Sequence, residues 1–335
     1  MKTNSISRRN FIKISAVAGS MLVGGKLLFD LAADKIVTVK EARTLMGTVI
    51  NLSVVAESRA AGEAAVESTF AELTRQVEIF NHRDPESAIT TLNRTGKLLN
   101  PPKELVEVLV LANQVSEMTG GAFDASIKPL VDLYQGSQPA LPGDDTLASV
   151  LALVGYNQLS ISKEEIAFKQ PGMAITLDGI AKGYIVDAGT AVLKDLGYKN
   201  VYVEAGGDLM ASGVKEGDVP WKIGIKSPRD SESGVMDKLN VSDQAVATSG
   251  DYFQYYSADM RHHHIIDPRI GYSDPGLASV TVVSGKATLS DALATGVMVL
   301  GAEQGMRLID SIPGVEGYLI TKNLAVVKSS DFPTA

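Results

Sequence analysis

The stretch Thr176-Leu-Asp-Gly-Ile-Ala-Lys-Gly-Tyr184 lies near the middle of the 335-residue chain, and the rest of the sequence is organised around it. The apolar run that leads into it, residues 173–177, predicts a short strand, and apolar residues recur at helical spacing from Ile180 to Leu196. A strand, a glycine-containing turn and a helix start bring backbone N–H groups and the positive end of a helix dipole together. This arrangement suits a phosphate-bearing ligand, and Lys182 adds a positive charge in the first helical turn. A purely structural turn would explain the pattern equally well.

The composition limits the kind of protein and the kind of partner. With 335 residues, of which 45% are hydrophobic, the chain can bury the core of one large domain or two smaller ones. The net charge is −8, and because residues 1–33 carry +4 the remainder carries −12. Such an acidic body argues against nucleic acid or anionic lipid as the main partner. Because the chain has no cysteine, disulfides, thiol catalysis and thiolate metal sites are excluded.

The N-terminus has the pattern of an export signal. The paired Arg8 and Arg9 precede an apolar run, residues 14–25, which is shorter than the roughly 20 residues that span a bilayer. This matches a twin-arginine signal over residues 1–33 and predicts a periplasmic or other extracytoplasmic location. Cleavage and membrane tethering stay open. A basic-capped amphipathic helix is the alternative interpretation.

Strands and helices follow one another in no simple alternation. Because the strands are joined both by helices and by hairpins, we expect a mixed α/β (α+β) fold in one domain, residues 36–335, and not a doubly wound parallel sheet. The helices expected besides the one after Ile180 are residues 59–80, 86–93, 101–118, 146–154 and 290–300; the main strands are 36–55, 201–208, 221–225, 244–248, 277–283 and a terminal hairpin at 317–327.

Two clusters contain residues suited to catalysis. Asp291 and Thr295 are spaced i and i+4, which places a carboxylate and a hydroxyl on one face of a helix, where they can hold a hard cation such as Mg²⁺. Alternatively, Asp291 interacts only with the helix dipole. His264 ends a run of three histidines, and beside an anionic site it could transfer a proton. Alternatively, this histidine run is a solvated strand end.

Two glycine-rich turns complete the set of candidate sites. Gly206-Gly-Asp208 ends a strand and lets a ligand approach the backbone closely, although a plain tight turn is equally compatible. Thr119-Gly-Gly-Ala-Phe-Asp124 offers an aromatic ring and an acid in a loop, where a core phenylalanine is the default. The sequence has no Gly-x-Gly-x-x-Gly after a strand, no His-Glu-x-x-His and no Gly-x-Ser-x-Gly.

Read together, these motifs resemble the FAD:protein FMN transferase (ApbE) family, over roughly residues 46–300. Each motif alone is unspecific, but their shared order is not. In chain order they are Met46-Gly-Thr48, residues 87–93, Thr119-Gly-Gly-Ala-Phe-Asp124, Asp178-Gly-Ile-Ala-Lys-Gly-Tyr184, Gly206-Gly-Asp208, His264-Ile-Ile-Asp-Pro268 with Gly271, and Asp291-Ala-Leu-Ala-Thr295.

The resemblance implies a fold, a reaction and a set of residues. The fold would be ApbE-like (T-fold-like), with largely antiparallel sheets and flanking helices. FAD would be the substrate and Mg²⁺ the cofactor, and a Ser or Thr hydroxyl of an exported acceptor flavoprotein would take FMN while AMP leaves. The implied metal ligands are Asp291, Thr295 and the carbonyl of Gly179; the implied catalytic residue is His264, with Asp208 as the alternative; the implied flavin and diphosphate contacts are Met46, Ala122, Phe123, Asp124, Asp178 and Lys182.

The sequence departs from the family pattern at two places. Many relatives carry Asp-Leu before the glycine turn, whereas here Thr176 and Leu177 occupy those positions and the acid is shifted to Asp178. The loop that often places an aromatic under the flavin reads Phe80-Asn81-His82.

Within the family, the twin-arginine signal and the wording Thr-Leu-Asp-Gly-Ile-Ala from residue 176 suggest the exported branch, which includes accessory transferases of nitrous-oxide respiration. The alternatives are an FAD pyrophosphatase, a non-catalytic periplasmic FAD-binding protein, and an extracytoplasmic ligand-binding module without flavin.

Overall fold

The computed structural model describes residues 36–136, 143–229, 234–273 and 276–335. The predicted signal, residues 1–33, lies outside the described residues, so export stays a prediction. Within the described ranges, no helix combines the length and the apolar character needed to cross a membrane.

An eight-stranded antiparallel sheet forms the centre of the protein. The strands in chain order are Val37–Leu45 (β1), Thr48–Ala56 (β2), Lys97–Leu99 (β3), Leu159–Ile161 (β4), Glu165–Phe168 (β5), Val201–Ala205 (β6), Asp208–Ser212 (β7), Trp221–Lys226 (β8), Val235–Val241 (β9), Gln244–Gly250 (β10), Leu277–Ser284 (β11), Glu316–Thr321 (β12) and Val326–Lys328 (β13). The large sheet has the order β1-β2-β6-β7-β10-β11-β12-β13, and β3-β5-β4 and β8-β9 form two small sheets.

Seven α-helices accompany these sheets in the described part of the chain. They are Arg59–Phe80 (α1), Ala88–Thr95 (α2), Lys103–Met118 (α3), Lys128–Gly136 (α4), Asp144–Leu151 (α5), Ala181–Asp195 (α6) and Ala287–Ser311 (α7). Helices α1, α6 and α7 pack on one face of the large sheet, and α3 packs outside α1 and α7. The hairpin β8-β9 and Phe332 cover part of the other face. All eight residues of β11 are buried, as expected for a strand that is covered on both faces.

The expected fold class and antiparallel sheet are confirmed, and the helix predicted at 59–80 is α1 itself. The helix predicted at 290–300 begins earlier, at Ala287, and continues after a break at Gly301. The strand predicted at 173–177 is wrong, because this segment joins no sheet. The side-chain amide of Asn93 replaces a neighbouring strand: it accepts from Ile175 N at 2.8 Å and donates to Ile175 O at 2.9 Å.

Candidate functional site

The first turns of α6 and α7 meet directly at the site. A Cβ on Gly183 would lie 2.3 Å from the carbonyl oxygen of Ala287, so only glycine allows the two backbones to approach this closely. The Gly183 N–H donates to Asp291 Oδ2 at 3.0 Å. The motif around residue 180 and the Asp291/Thr295 motif, more than a hundred residues apart in sequence, therefore form one site.

A buried cluster of charges lies at this contact. The Lys182 ammonium is 2.5 Å from Asp208 Oδ2 and 3.3 Å from Asp291 Oδ1. Asp208 and Asp291 are 1% and 2% exposed. The other oxygen of Asp208 accepts from the Thr248 N–H at 3.1 Å. Two carboxylates thus share one ammonium, so the cluster has one negative charge in excess when both carboxylates are ionised.

The protonation of the cluster reflects this imbalance. Burial raises the pKa of Asp208, the charge of Asp291 raises it further, and Lys182 offsets these effects only in part. Burial alone would lower the pKa of Lys182, but Asp208 and Asp291 together outweigh burial and raise it. The lysine therefore stays charged, and an added cation would favour the ionised form of Asp208.

The Thr295 hydroxyl, one helical turn after Asp291, adjoins the glycine turn. Thr295 Oγ1 is 3.0 Å from Ser249 Oγ, so this hydroxyl is held in place. Gly179 faces Thr295: a Cβ on Gly179 would lie 3.1 Å from Thr295 Oγ1 and 3.2 Å from the ring of Phe123. Among the described residues no group of three or more His, Asp or Glu could hold a metal. The Asp291 carboxylate, the Thr295 hydroxyl and the Gly179 carbonyl would instead offer a small set of hard oxygen ligands, a type that fits Mg²⁺ with several of its waters retained.

His264 lies in the long connection between β10 and β11, close enough to the glycine turn for the charges of Asp178 and Lys182 to act on it. Burial lowers the pKa of His264 below its ordinary value, and the Gln254 carbonyl opposes that shift. His264 Nδ1 is 2.9 Å from the carbonyl oxygen of Gln254. Because a carbonyl only accepts, Nδ1 carries the proton and the lone pair of neutral His264 is on Nε2. His264 is therefore set up to accept a proton.

The turn at Met46 adjoins the turn at Gly206. Met46 has φ of 51°, which is rare for a residue with a side chain, and it is 37% exposed. The Gly206 N–H donates to the Val49 carbonyl at 3.3 Å, which joins the two hairpin turns. Met46 is thus held in an unusual conformation at the end of the sheet where Asp208 lies.

The loop at residues 119–124 has two sides. The ring of Phe123 faces Gly179, and Ala122 and Phe123 are both buried. The Asp124 carboxylate accepts from Ser126 N, Ser126 Oγ and Tyr156 N, each at 2.7 Å. These bonds hold two chain segments together. Asp124 also lines a cavity of about 350 Å³ that includes Gly121 and Arg269.

The residues at which the sequence departs from the family pattern, Asp178, Phe80 and His82, differ in exposure. Asp178 is exposed at the turn. Phe80 is buried and its ring packs edge-on against Tyr184 at 5.5 Å, whereas His82 is exposed. Phe80 therefore belongs to the core.

Sequence reasoning missed several residues that shape the site. Ser249 positions Thr295, Gln254 fixes the tautomer of His264 through its backbone, and Asp187 binds the start of α7. The Gln254 contact leaves no trace in the sequence, because any residue has a carbonyl. Asp187 can be read from the sequence, but the residue it binds, Ala287, is a hundred residues away.

Comparisons with known proteins point to one family. The model of the ApbE family matches residues 46–319. An FAD:protein FMN transferase of Vibrio cholerae is 30% identical over 275 residues, which cover 79% of this chain and 82% of that protein. One of Treponema pallidum is 28% identical over 342 residues, covering 96% and 92%. The crystal structure of the ApbE protein of Thermotoga maritima has a TM-score of 0.79 at 28% identity, covering 88% of this chain and 97% of that chain.

Proposed function

The chain belongs to the ApbE family, and on that premise we propose that it transfers FMN from FAD to a protein. The observation that carries the proposal is the buried Asp208–Lys182–Asp291 cluster, which faces Gly179 and Thr295 at the crossing of two helix starts. A cluster one positive charge short, beside three oxygen donors, suits a divalent cation and the pyrophosphate of FAD.

We propose Mg²⁺ as the cation, held by Asp291, Thr295 and the Gly179 carbonyl. The support is that all three donors are oxygens and that two of them are already positioned, Asp291 by Gly183 N–H and Thr295 by Ser249. When bound, Mg²⁺ would neutralise charge on the phosphates and favour in-line displacement.

The reaction is a displacement at the phosphorus on the FMN side of FAD. The oxygen of an acceptor Ser or Thr hydroxyl forms a bond to this phosphorus, the bond to the AMP oxygen breaks, and AMP leaves. His264, through Nε2, accepts the proton of the attacking hydroxyl, with Asp208 as the alternative acceptor. Lys182 and the N–H groups at the start of α6 bind the diphosphate.

The flavin is proposed to lie between the Met46 turn and the loop that carries Ala122, Phe123 and Asp124, with Asp178 at the rim. Support comes from the contacts of that loop with Gly179 and from the exposed side chain of Met46. Asp124 would act by fixing the loop, because its carboxylate is occupied by Ser126 and Tyr156.

We further propose that the protein acts outside the cytoplasm, on an exported acceptor flavoprotein. The support is the Arg8–Arg9 pair before a short apolar run. A fusion of residues 1–40 to a reporter that is active only after twin-arginine export checks this proposal. Export that fails when both arginines are replaced by lysine supports it, and export that is unaffected contradicts it.

Product analysis separates transfer from its alternatives. The protein is incubated with FAD and Mg²⁺, with and without a candidate acceptor, and AMP and free FMN are quantified by chromatography. AMP without an equal amount of free FMN, formed only with the acceptor, supports transfer. Equal AMP and free FMN without an acceptor indicate a pyrophosphatase, and bound FAD without any product indicates a binding protein.

A further inference from the structure

We propose that Asp187 is a positioning residue: by binding the start of α7 from α6, it sets where Asp291 and Thr295 lie relative to the glycine turn. This inference rests on the proposed cation site. Within the described part of the chain, the Asp187 carboxylate accepts hydrogen bonds from Ala287 and Thr288 and from none of the cluster residues Lys182, Asp208 and Asp291.

Helix α7 lacks a cap of its own. The residue before its first turn is Lys286, whose side chain caps nothing. The first N–H groups of a helix have no partner within the helix and need one from elsewhere. Asp187 Oδ1 accepts from Ala287 N at 2.9 Å, and Asp187 Oδ2 accepts from Thr288 N at 2.9 Å and from Thr288 Oγ1 at 2.5 Å. The cap of α7 is therefore supplied by another helix.

This cap fixes the position of the proposed metal ligands. Three bonds to two successive residues restrain both the rotation of α7 about its axis and its shift along that axis. Asp291 follows Ala287 by four residues, about one helical turn, and Thr295 follows by about two. A shift of the start of α7 would therefore displace both side chains directly.

Helix α6, which carries Asp187, also carries the other half of the site. Lys182 and Gly183 are in the first turn of α6, five and four residues before Asp187, and Gly179 lies just before it. Gly183 touches Ala287 and binds Asp291, so the helices share two separate contacts, one at Gly183 and one at Asp187. Gly183 sets how closely the two helix starts approach, and Asp187 sets the register between them.

The test is cation affinity measured directly. Full-length wild type, Asp187→Ala and Asp187→Asn are titrated with Mn²⁺ in the presence of FAD, and free Mn²⁺ is followed by electron paramagnetic resonance. We expect Asp187→Ala to raise the dissociation constant about tenfold, the lower end for residues that orient metal ligands. Asp187→Asn should raise it less, because the amide oxygen can still accept one N–H. Asp195→Ala, which removes an exposed acid at the other end of α6, is the matched control and should bind as wild type.

The outcomes separate this inference from the proposed function. If Asp187→Ala melts at a lower temperature but binds Mn²⁺ as tightly as wild type, Asp187 is only a structural cap and the inference is wrong. If Asp187→Ala does not fold, the same comparison is decided by Asp187→Asn. If wild type binds no Mn²⁺, or Asp291→Ala binds it equally well, the cation site itself is wrong and the inference is lost with it.

Discussion

Asp291 is the residue on which the proposed chemistry depends most. It is 2% exposed, and its removal leaves the half-buried Lys182 paired with Asp208 at 2.5 Å. We therefore expect Asp291→Ala to fold while AMP release falls by about 10³-fold or more, the size expected when several kcal/mol of charge stabilisation are lost. Chromatographic assay of AMP and a thermal melt measure both effects. Release of AMP at the wild-type rate would refute the assignment of Asp291 to the metal.

The proposed role of His264 as proton acceptor predicts how the reaction depends on pH. Its pKa is lowered from the ordinary 6.5, so in the folded protein it is neutral at pH 6.5 and above and gains a proton only at lower pH. As a proton acceptor it must be neutral, so kcat/KM should be constant near neutrality and fall in acid, with a midpoint below 6.5. A pH–rate profile of wild type and His264→Ala measures this, with His262→Ala as the control. An acid midpoint that persists in His264→Ala would show that another group is responsible.

How far single residues could be predicted depended on the kind of contact. The pairing of Asp291 with Thr295 followed from helical spacing, and the glycine turn from its pattern, because both are local. The ion pairs of Lys182 with Asp208 and Asp291 could not be derived from spacing, since they join three elements whose approach is set by packing. The order of the family motifs, and not any single spacing, indicated that these residues belong together.

The crossing of α6 and α7 is the element-level feature that builds the site. In Gly183→Ala the new Cβ would meet backbone atoms of Ala287, which cannot move aside like the end of a flexible side chain. We expect a loss of about 1–3 kcal/mol in the free energy of unfolding, as for overpacked cores, together with a lower rate of AMP release. Urea unfolding and the AMP assay measure the two effects.

Gly189→Ala is the matched control for this prediction. It lies in the same helix, but its Cβ would meet only side-chain atoms of Val203 and Leu73, at 3.3 Å or more. It should therefore change stability and activity much less than Gly183→Ala. Equal effects of the two substitutions would mean that the close approach of α6 and α7 at Gly183 does not determine stability or activity.

Most elements were predictable, including short strands such as 221–225 and 244–248, which are β8 and β10, but the strand predicted at 173–177 was not found. Helix α1 has many turns of apolar spacing and a capping serine, Ser58, so its bounds followed from local rules. Residues 173–177 have the composition of a strand, but Ile175 pairs with the side-chain amide of Asn93 and the Thr176 N–H donates to the Ala125 carbonyl. A side chain distant in sequence thus replaced a strand, which no local pattern indicates.

In the whole molecule the site lies at one end of the large sheet. A second cluster of charges, centred on Asp251, holds the connection between β10 and β11 in place. Asp251, just after β10, is fully buried and binds Arg229 at 2.8 and 2.7 Å and also the Lys322 ammonium. Lys322 in turn donates to the Met260 carbonyl at 2.6 Å, inside the connection that carries His264. This cluster therefore ties β10, the end of β12 and that connection together.

Removing the central acid should destabilise the fold strongly. In Asp251→Ala, Arg229 and Lys322 are left facing each other without a counter-charge, so we expect a loss of roughly 3 kcal/mol, the lower end for broken buried pairs. Arg307→Ala, which breaks an ion pair between side chains that are 69% and 84% exposed, is the control and should cost at most about 0.5 kcal/mol. Denaturant unfolding compares the two variants. Similar small losses in both would show that the Asp251 cluster does not hold the fold together.

The most direct test of the central proposal is the intact mass of an acceptor protein after incubation with this protein, FAD and Mg²⁺. The proposal predicts an acceptor heavier by one FMN less one water, AMP formed in equal amount, and neither product with Asp291→Ala. An acceptor of unchanged mass, with AMP and free FMN released in equal amounts, would contradict transfer and assign the site to FAD hydrolysis.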